Sequence, residues 1–221
     1  VNSSDEMKWY NGGTLMYNLE NTYISSDVNH IDARLPIQYV IRPQTHKFRD
    51  YRGYAGKIEG GAFKKGDRIK VLPSGFLSHI KTIEINGKNI EEAYSPMSVS
   101  VTLKDDLDIS RGDMIVKENN VPVISQDLDL MICWMDSANL KSRKKVIIKH
   151  TTNECLGMIT EILYKLDINT LHSIKDFEDF KLNDIGRIKI RSSKPLFFDS
   201  YKKNRHTGSV ILIDPNNNAT I

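Results

Sequence analysis

The sequence predicts a mainly all-β protein, built from two tandem antiparallel β-barrels that follow one short N-terminal helix. Three observations support this fold class. Apolar and polar residues alternate over many short segments, glycine and asparagine pairs separate these segments, and 221 residues are enough for two small domains. Closed barrels are favoured over open sheets, because closure removes the unpaired strand edges that promote aggregation.

The N-terminal helix is predicted over about residues 12–22. Leu15 and Leu19 lie four residues apart, as on one face of a helix, and Met16 widens that face. Thr14 and Asn11 are both suitable capping residues for its first turn. The polar segment 25–32 is a predicted linker, so residues 1–32 are assigned to the end of a preceding domain and a linker.

The first barrel is predicted over residues 33–118. Its first strand begins at Arg34, and Pro36 places the start of this strand near a sheet edge, because proline lacks the N–H that a ladder needs. Further strands are expected in five segments. A helical turn is expected at 91–94, between the third and the fourth of them. These segments are 53–59, 67–72, 76–85, 97–103 and 113–117.

Glycine pairs mark the hairpins of this barrel. Gly60-Gly61 and Gly66 are expected to supply the positive φ angles that tight hairpins require. Asn86-Gly87 is a strong two-residue hairpin signal for the same reason.

The second barrel is predicted over residues 119–221. Asn119-Asn120 and Pro122 mark its boundary, and a short helix is expected at 173–180. Its predicted strands are 121–124, 127–135, 145–151, 154–166, 185–192 and 207–213.

Composition excludes several classes of protein. The net charge of +3 gives little support for nucleic-acid binding, and no run of about 18 apolar residues is present to span a membrane. The N-terminus shows no basic-then-apolar order of a signal peptide. Cys133 and Cys155 lie in apolar runs, which predicts buried, reduced thiols and a cytoplasmic protein.

The usual catalytic patterns are missing from the sequence. It contains neither the G-x-x-x-x-G-K-[ST] loop that cradles phosphates nor an Asn-Lys-x-Asp segment for guanine. The six histidines show no metal-ligand spacing, and no serine lies in a nucleophile elbow. We therefore predict no catalytic residue, no cofactor-binding residue and no metal ligand in this chain.

Basic residues are the remaining candidates for function. Lys144 and Lys145 end a basic run, Arg205 lies in a second one, and Arg52 and Arg111 each precede a glycine at a predicted turn. We single out these five as candidates for docking another domain or partner. The alternative is structural: exposed lysines on a solvated loop, and arginine forks that bridge loop carbonyls or carboxylates.

Several motifs, in a consistent order over residues 7–218, carry a family resemblance. The chain resembles the large, GTP-hydrolysing subunit of bacterial sulfate adenylyltransferase (ATP sulfurylase), within the elongation-factor-Tu-like superfamily. The matching segments are RGYAGKIEGGAFKKGDRIKVLPSG at 52–75, LPIQYVIRP at 35–43, VTLKDDLDISRGDMIV at 101–116, CWM at 133–135 and the signature residues between 182 and 208.

The resemblance implies both a fold and a role. It implies barrels of the domain 2 and domain 3 type of elongation factor Tu, without the nucleotide-binding G domain that holds GTP and Mg²⁺ in the parent protein. That parent is a nucleotidyltransferase subunit of sulfate assimilation, which converts ATP and sulfate to adenosine 5′-phosphosulfate and pyrophosphate while GTP is hydrolysed. Some members also carry a fused adenylylsulfate kinase.

Taken alone, this chain is then expected to be an inactive, non-catalytic part that couples its own G domain to the small, catalytic adenylyltransferase subunit. Hinges are predicted at 25–32 and 119–122. The alternative is a pair of barrels from a translation-type GTPase that contact tRNA or the ribosome.

Overall fold

One short α-helix and fifteen β-strands form the regular structure of residues 5–22, 29–43 and 51–221, the part of the chain that the computed structural model describes. A 3-10 turn at Asp5–Met7 precedes α1 (Leu15–Asn21). Of the two suitable caps, Thr14 is the one used, and its hydroxyl accepts a hydrogen bond from the Tyr17 N–H at 3.1 Å. No residue of α1 is buried, so its apolar side chains are exposed.

Barrel 1 is a closed antiparallel barrel, as the alternation predicts. Strands β4, β9, β1, β2, β8 and β5 pair in that order, and β4 pairs with β5 to complete the ring. β6 extends β5, while β3 and β7 form a separate two-stranded ribbon. The strands are β1 (Arg34–Ile41), β2 (Gly53–Lys57), β3 (Ala62–Lys64), β4 (Arg68–Leu72), β5 (Leu77–Ile85), β6 (Lys88–Ile90), β7 (Glu92–Tyr94), β8 (Ser98–Leu103) and β9 (Met114–Lys117).

The predicted turns of barrel 1 are largely confirmed. Asn86 and Gly87 both have positive φ angles, 50° and 74°, as a two-residue hairpin between β5 and β6 requires. Gly61 and Gly66 also have positive φ angles, of 60° and 88°. Gly60 does not share that geometry, and the reason for a glycine there lies in the packing of the two barrels, described below.

Two expectations for barrel 1 are wrong. Pro36 does not lie at a sheet edge, because β1 pairs with β2 on one side and with β9 on the other. The segment 91–94 is not a helical turn: β7 pairs with β3, so a partner about thirty residues earlier in the chain stabilises it as a strand.

Barrel 2 is formed by an antiparallel sheet with the order β10, β14, β12, β11, β15, and β13 pairs with β12. Its long strands β12 and β14 carry most of the pairing. Isolated bridges between Leu140 and Phe180 and between Ile213 and Thr220 add to the sheet. The strands are β10 (Val123–Cys133), β11 (Lys145–His150), β12 (Asn153–Leu166), β13 (Ser173–Ile174), β14 (Ile185–Phe198) and β15 (Ile211–Ile213).

Three expectations for barrel 2 need correction. The segment 173–180 is not a helix; it holds the short strand β13 and an irregular stretch. The predicted strand 207–213 is regular only in β15, because 207–208 belong to a turn that packs against barrel 1. Cys155 is buried as expected, but Cys133 is exposed, since it lies at an outward position of β10.

Each barrel has its own apolar core. One core gathers the inward residues of β1 to β9, and the other gathers those of β10 to β15 around Trp134 and Phe180. Among the described residues no strand pairs across the two sheets, which lie on either side of residue 119. The domain boundaries assigned from the sequence stay a prediction.

Candidate functional site at the junction of the barrels

A buried arginine connects the two barrels. Arg34, the first residue of β1, is 1% exposed, yet its charged head faces barrel 2. Its Nε and Nη2 each donate to one carboxylate oxygen of Asp199, both at 2.9 Å. Such a two-pronged contact fixes orientation as well as distance, because the guanidinium and the carboxylate are both planar.

The chain segment between the barrels is held by the same arginine. Nη1 of Arg34 donates to the backbone oxygen and to the side-chain oxygen of Asn120, at 2.6 and 2.7 Å. The Asn120 amide donates in turn to Asp32 at 2.8 Å. Residues 119–122 are therefore held to both barrels at Asn120. The hinge predicted there stays a prediction, and of the other predicted hinge, 25–32, only residues 29–32 are described.

Asp32 is a second buried charge in this junction. Its carboxylate accepts hydrogen bonds from Asn29, Asn120 and Lys203, the last from barrel 2 at 3.0 Å. Burial alone would raise the pKa of Asp32, but these three hydrogen bonds outweigh it and lower the pKa from its ordinary 3.8 to about 2. Asp32 is therefore ionised at neutral pH.

The turn after β14 supplies the barrel 2 side of the junction. The Asn204 side-chain amide donates to the Glu59 carbonyl of barrel 1 at 3.0 Å. The Asn204 side-chain oxygen accepts a hydrogen bond from the Thr207 N–H, which closes the turn. The Thr207 hydroxyl donates to Asp199 at 2.8 Å, so the carboxylate that binds Arg34 is held from both barrels. A Cβ on Gly60 would lie 2.5 Å from the backbone oxygen of Asp32 and 2.9 Å from the Asn204 amide. Gly60 thus permits close approach of the barrels.

A buried histidine completes this network. His150, the last residue of β11, is 2% exposed, and its Nε2 lies 2.8 Å from the Thr207 carbonyl. Burial lowers the pKa of His150, and the Thr207 carbonyl and the Asp199 charge oppose this only in part. The imidazole is therefore neutral at pH 7, and Nε2 donates to the carbonyl.

Apolar side chains and a small cleft flank the polar network. Leu72, Met114 and Val116 of barrel 1 pack against Phe197 of barrel 2 in one buried cluster. A cleft of about 80 Å³ lies nearby, far smaller than the roughly 300 Å³ of the smallest ordinary ligand pockets. It is lined by Pro36, Gln38, Lys57, Glu59, Thr151 and Thr152. Its volume is compatible with a few water molecules and excludes a nucleotide.

The five candidates from the sequence lie in different parts of the fold. Arg52 donates to the Leu107 carbonyl at 2.7 Å and pairs with Asp106, while Arg111 donates to the Gln38 carbonyl at 3.0 Å. Both arginines therefore hold loops within barrel 1.

The remaining three belong to barrel 2. Lys144 points inward, with Asp136 at 2.9 Å, Asp214 at 3.4 Å and the Trp134 ring centre at 5.0 Å. Lys145 is exposed at the start of β11, and Arg205 is exposed in the turn that carries Asn204 and Thr207. A docking role for these five residues stays a prediction.

The sequence analysis did not select Arg34 or Asp199 as site residues, because each one can be explained by the strand beside it. Arg34 begins an apolar strand, and Asp199 follows the apolar run Leu196–Phe198. The sequence signal that could have predicted the junction is a charged residue next to an apolar run, since a charge that is buried there requires a partner.

Within residues 5–22, 29–43 and 51–221, no three His, Cys, Asp or Glu residues are placed to hold a metal ion. In the same part of the chain, no helix is long and apolar enough to cross a bilayer. What the junction does physically is fix the orientation of one barrel on the other.

Comparison with known proteins gives matches along the whole chain. A family model described as GTP-eEF1A C-terminal domain-like matches residues 127–221. The bifunctional enzyme CysN/CysC of Mycobacterium tuberculosis is 45% identical over all of this chain, which corresponds to 36% of that protein. Sulfate adenylyltransferase subunit 1 of Bacteroides fragilis is 42% identical over all of this chain and 45% of its own length. The resemblance stated from the motifs is confirmed, and the chain spans less than half the length of these relatives.

Solved structures share the fold at low sequence identity. Sup35 complexed with GDP superposes with a TM-score of 0.76 at 18% identity, covering 96% of this chain and 51% of that one. Translation elongation factor SelB from Methanococcus maripaludis gives a TM-score of 0.67 at 15% identity, covering 91% and 42%. These likenesses confirm the predicted two-barrel fold class.

Proposed function

We propose that this chain is the two-barrel part of the GTP-hydrolysing subunit of sulfate adenylyltransferase, and that it couples the G domain of that subunit to the catalytic subunit. The observation that carries the proposal is the 42–45% identity to such proteins over the whole length of the chain. The complex of the full-length protein with its catalytic subunit would then transfer the adenylyl group of ATP to sulfate and release pyrophosphate, in the cytoplasm. GTP and Mg²⁺ would be bound by its G domain, because this chain has no phosphate-binding loop.

The junction supports a mechanical role for the barrels. A buried two-pronged ion pair, a tethered connecting segment and an apolar cluster join them, so a displacement of one barrel moves the other with it. The hinge of such a device then lies between the G domain and barrel 1, not between the barrels. A nucleotide-dependent movement of the G domain would reach the far side of barrel 2 undiminished.

The test uses the full-length subunit together with its catalytic adenylyltransferase subunit. Adenosine 5′-phosphosulfate formation and GTP hydrolysis are measured in the same reaction. We expect Asp199→Ala, which breaks the Arg34 pair, to lower the product formed per GTP hydrolysed several-fold, while GTP affinity stays within about twofold.

The matched control is Asp129→Ala, which removes a two-pronged pair with Arg187 on the exposed face of barrel 2. This control should retain full coupling. An unchanged product-to-GTP ratio in a folded Asp199→Ala enzyme would contradict the mechanical role. GTP turnover by the 221-residue chain alone would contradict its assignment as a non-catalytic part.

The alternative, barrels that contact tRNA or the ribosome, has the shared fold as its support. Fold alone does not fix function, and the net charge of +3 is small for a phosphate-binding surface. Filter binding of tRNA over a salt series separates the two functions. Tight binding with a steep dependence on salt would favour the translation-type role.

A further inference from the structure

The outer face of barrel 2 carries an exposed strip of apolar side chains, which we call the apolar row. Ile147 of β11 lies directly opposite Leu156 of β12 on one side and Ile213 of β15 on the other. Met158, two residues after Leu156 in β12, and Ile211, two residues before Ile213 in β15, extend the strip on the same face. Leu156, Ile211 and Met158 are 58%, 47% and 40% exposed. A contiguous exposed apolar patch that is bordered by polar residues is typical of a protein interaction site.

A cluster of positive charges borders one end of the apolar row. The exposed residues Lys141, Arg143 and Lys145, which we call the basic turn, alternate with Ser142 and Lys144. The Arg143 N–H donates to the Ile159 carbonyl at 2.7 Å, which places the turn beside Met158. Lys145 lies directly opposite Met158 in the β-ladder.

Positive charge is unbalanced at the basic turn. Lys144 points inward to carboxylates of its own barrel, whereas Lys141, Arg143 and Lys145 form no ion pair with any residue that the structure describes. At the opposite end of the row, Lys149 is already paired with Glu154 at 3.5 Å. The face therefore presents apolar surface with about three uncompensated positive charges at one edge.

This pattern identifies the chemistry of a partner. Complementary potentials favour association, so the occupant should carry apolar side chains flanked by Asp or Glu carboxylates. A nucleic acid fits less well, because the row has no aromatic side chain for base stacking and the cations form a small group rather than a track. A second copy of the chain that docks through the same face fits less well too, because it would bring its own basic turn to the interface.

We infer that the apolar row and the basic turn together form the face on which the catalytic adenylyltransferase subunit docks, through an acidic and apolar segment of that subunit. The inference rests on the proposed function for the existence of this partner. The docking charges are then Lys141, Arg143 and Lys145, because Lys144 pairs with carboxylates of its own barrel.

The test measures the dissociation constant between the full-length large subunit and its catalytic subunit by isothermal titration calorimetry. Leu156→Glu places a charge in the middle of the row, and Lys145→Glu reverses one charge of the basic turn. Matched controls are Ile168→Glu, which alters an apolar residue of barrel 2 that is 66% exposed, and Lys88→Glu on an exposed hairpin of barrel 1. Thermal melts of all four variants check that they fold.

We expect Leu156→Glu to weaken binding by about tenfold or more, as at the centre of an interface, and the two controls to stay within about twofold. Lys145→Glu should weaken binding by about threefold to tenfold, and should also flatten the dependence of the dissociation constant on salt.

Other results overturn the inference in distinguishable ways. If wild-type subunits form a complex and Leu156→Glu binds equally well, the docking face is wrong while the proposed function stands. If wild-type subunits form no complex, the proposed function fails first. A large subunit that dimerises through this face in sedimentation, or tRNA binding abolished by Lys145→Glu, would replace the proposed occupant.

Discussion

Replacing Asp199 with alanine should destabilise the protein by far more than an ordinary surface change. The substitution removes the two-pronged partner of the Arg34 guanidinium, which is 1% exposed and keeps only the Asp32 carboxylate at 3.7 Å, and it also removes the acceptor of the Thr207 hydroxyl. Breaking a buried ion pair from one side costs about 3–5 kcal/mol, because the remaining charge stays desolvated. For a chain of this length, each kcal/mol corresponds to about 2–4 °C in melting temperature, so we expect a decrease of about 10 °C.

The assay follows unfolding with two probes. Trp134 is fully buried in barrel 2, so its fluorescence in a Trp9→Phe background reports that barrel, while far-ultraviolet circular dichroism reports both barrels. In the wild type the two melting curves should coincide. In Asp199→Ala they should separate, because the barrels no longer stabilise each other through the junction.

The control is an ion pair with the same two hydrogen bonds whose side chains are exposed to solvent. Arg187 and Asp129 form an equally two-pronged pair at 2.6 and 2.8 Å, but both side chains are more than two-fifths exposed. Asp129→Ala should therefore cost less than about 1 kcal/mol. Equal losses in Asp199→Ala and Asp129→Ala would refute the reasoning, since burial would then contribute nothing.

Three further predictions concern the same junction. First, the lowered pKa of Asp32 stabilises the protein at neutral pH by about 2 kcal/mol, and this stabilisation should be lost as pH falls from about 4 to 2. In Asp32→Asn, the urea midpoint of unfolding should change less over the same pH range. Second, because the pKa of buried His150 is lowered, stability should fall as pH decreases below about 6.5, where the unfolded state takes up the proton. His150→Gln retains a donor for the Thr207 carbonyl, and its stability should fall less between pH 7 and 5 in the same urea series. Third, Gly60→Ala should lower stability by about 1–3 kcal/mol in urea unfolding, because its methyl group would overlap the Asp32 backbone and crowd the Asn204 amide. A loss below about 0.5 kcal/mol would show that these two segments shift away easily.

Local sequence signals accounted for most of the fold. The hairpin at Asn86-Gly87 and the Thr14 cap follow from φ preference and side-chain hydrogen bonding within a few residues. β7 was missed because its stability comes from pairing with β3, and local composition around Pro96 favoured a turn. The segment 173–180 was misjudged in the same way, since its ends are held by β12 and by a bridge to Leu140.

The junction escaped prediction for a more basic reason. Arg34 and Asp199 are 165 positions apart in the chain, so no local pattern relates them. A single charge at the start of an apolar strand is usually exposed, and only the packing of one barrel on another makes it buried. The basic run at 141–145 hides a further difference that no local pattern predicts, because Lys144 pairs with carboxylates of its own barrel while its neighbours do not.

The polar character of the junction explains how two separate barrels keep one orientation. Apolar contacts such as Phe197 on Met114 are non-directional and tolerate sliding of one surface over the other. The Arg34–Asp199 fork does not, because both hydrogen bonds are lost when the planes rotate apart, and each buried charge would then lose its oppositely charged partner. The orientation of barrel 1 therefore determines where the outer face of barrel 2 points. A docking face on barrel 2 can in this way respond to a movement that begins on the far side of barrel 1, and the chain needs no catalytic group of its own to transmit it.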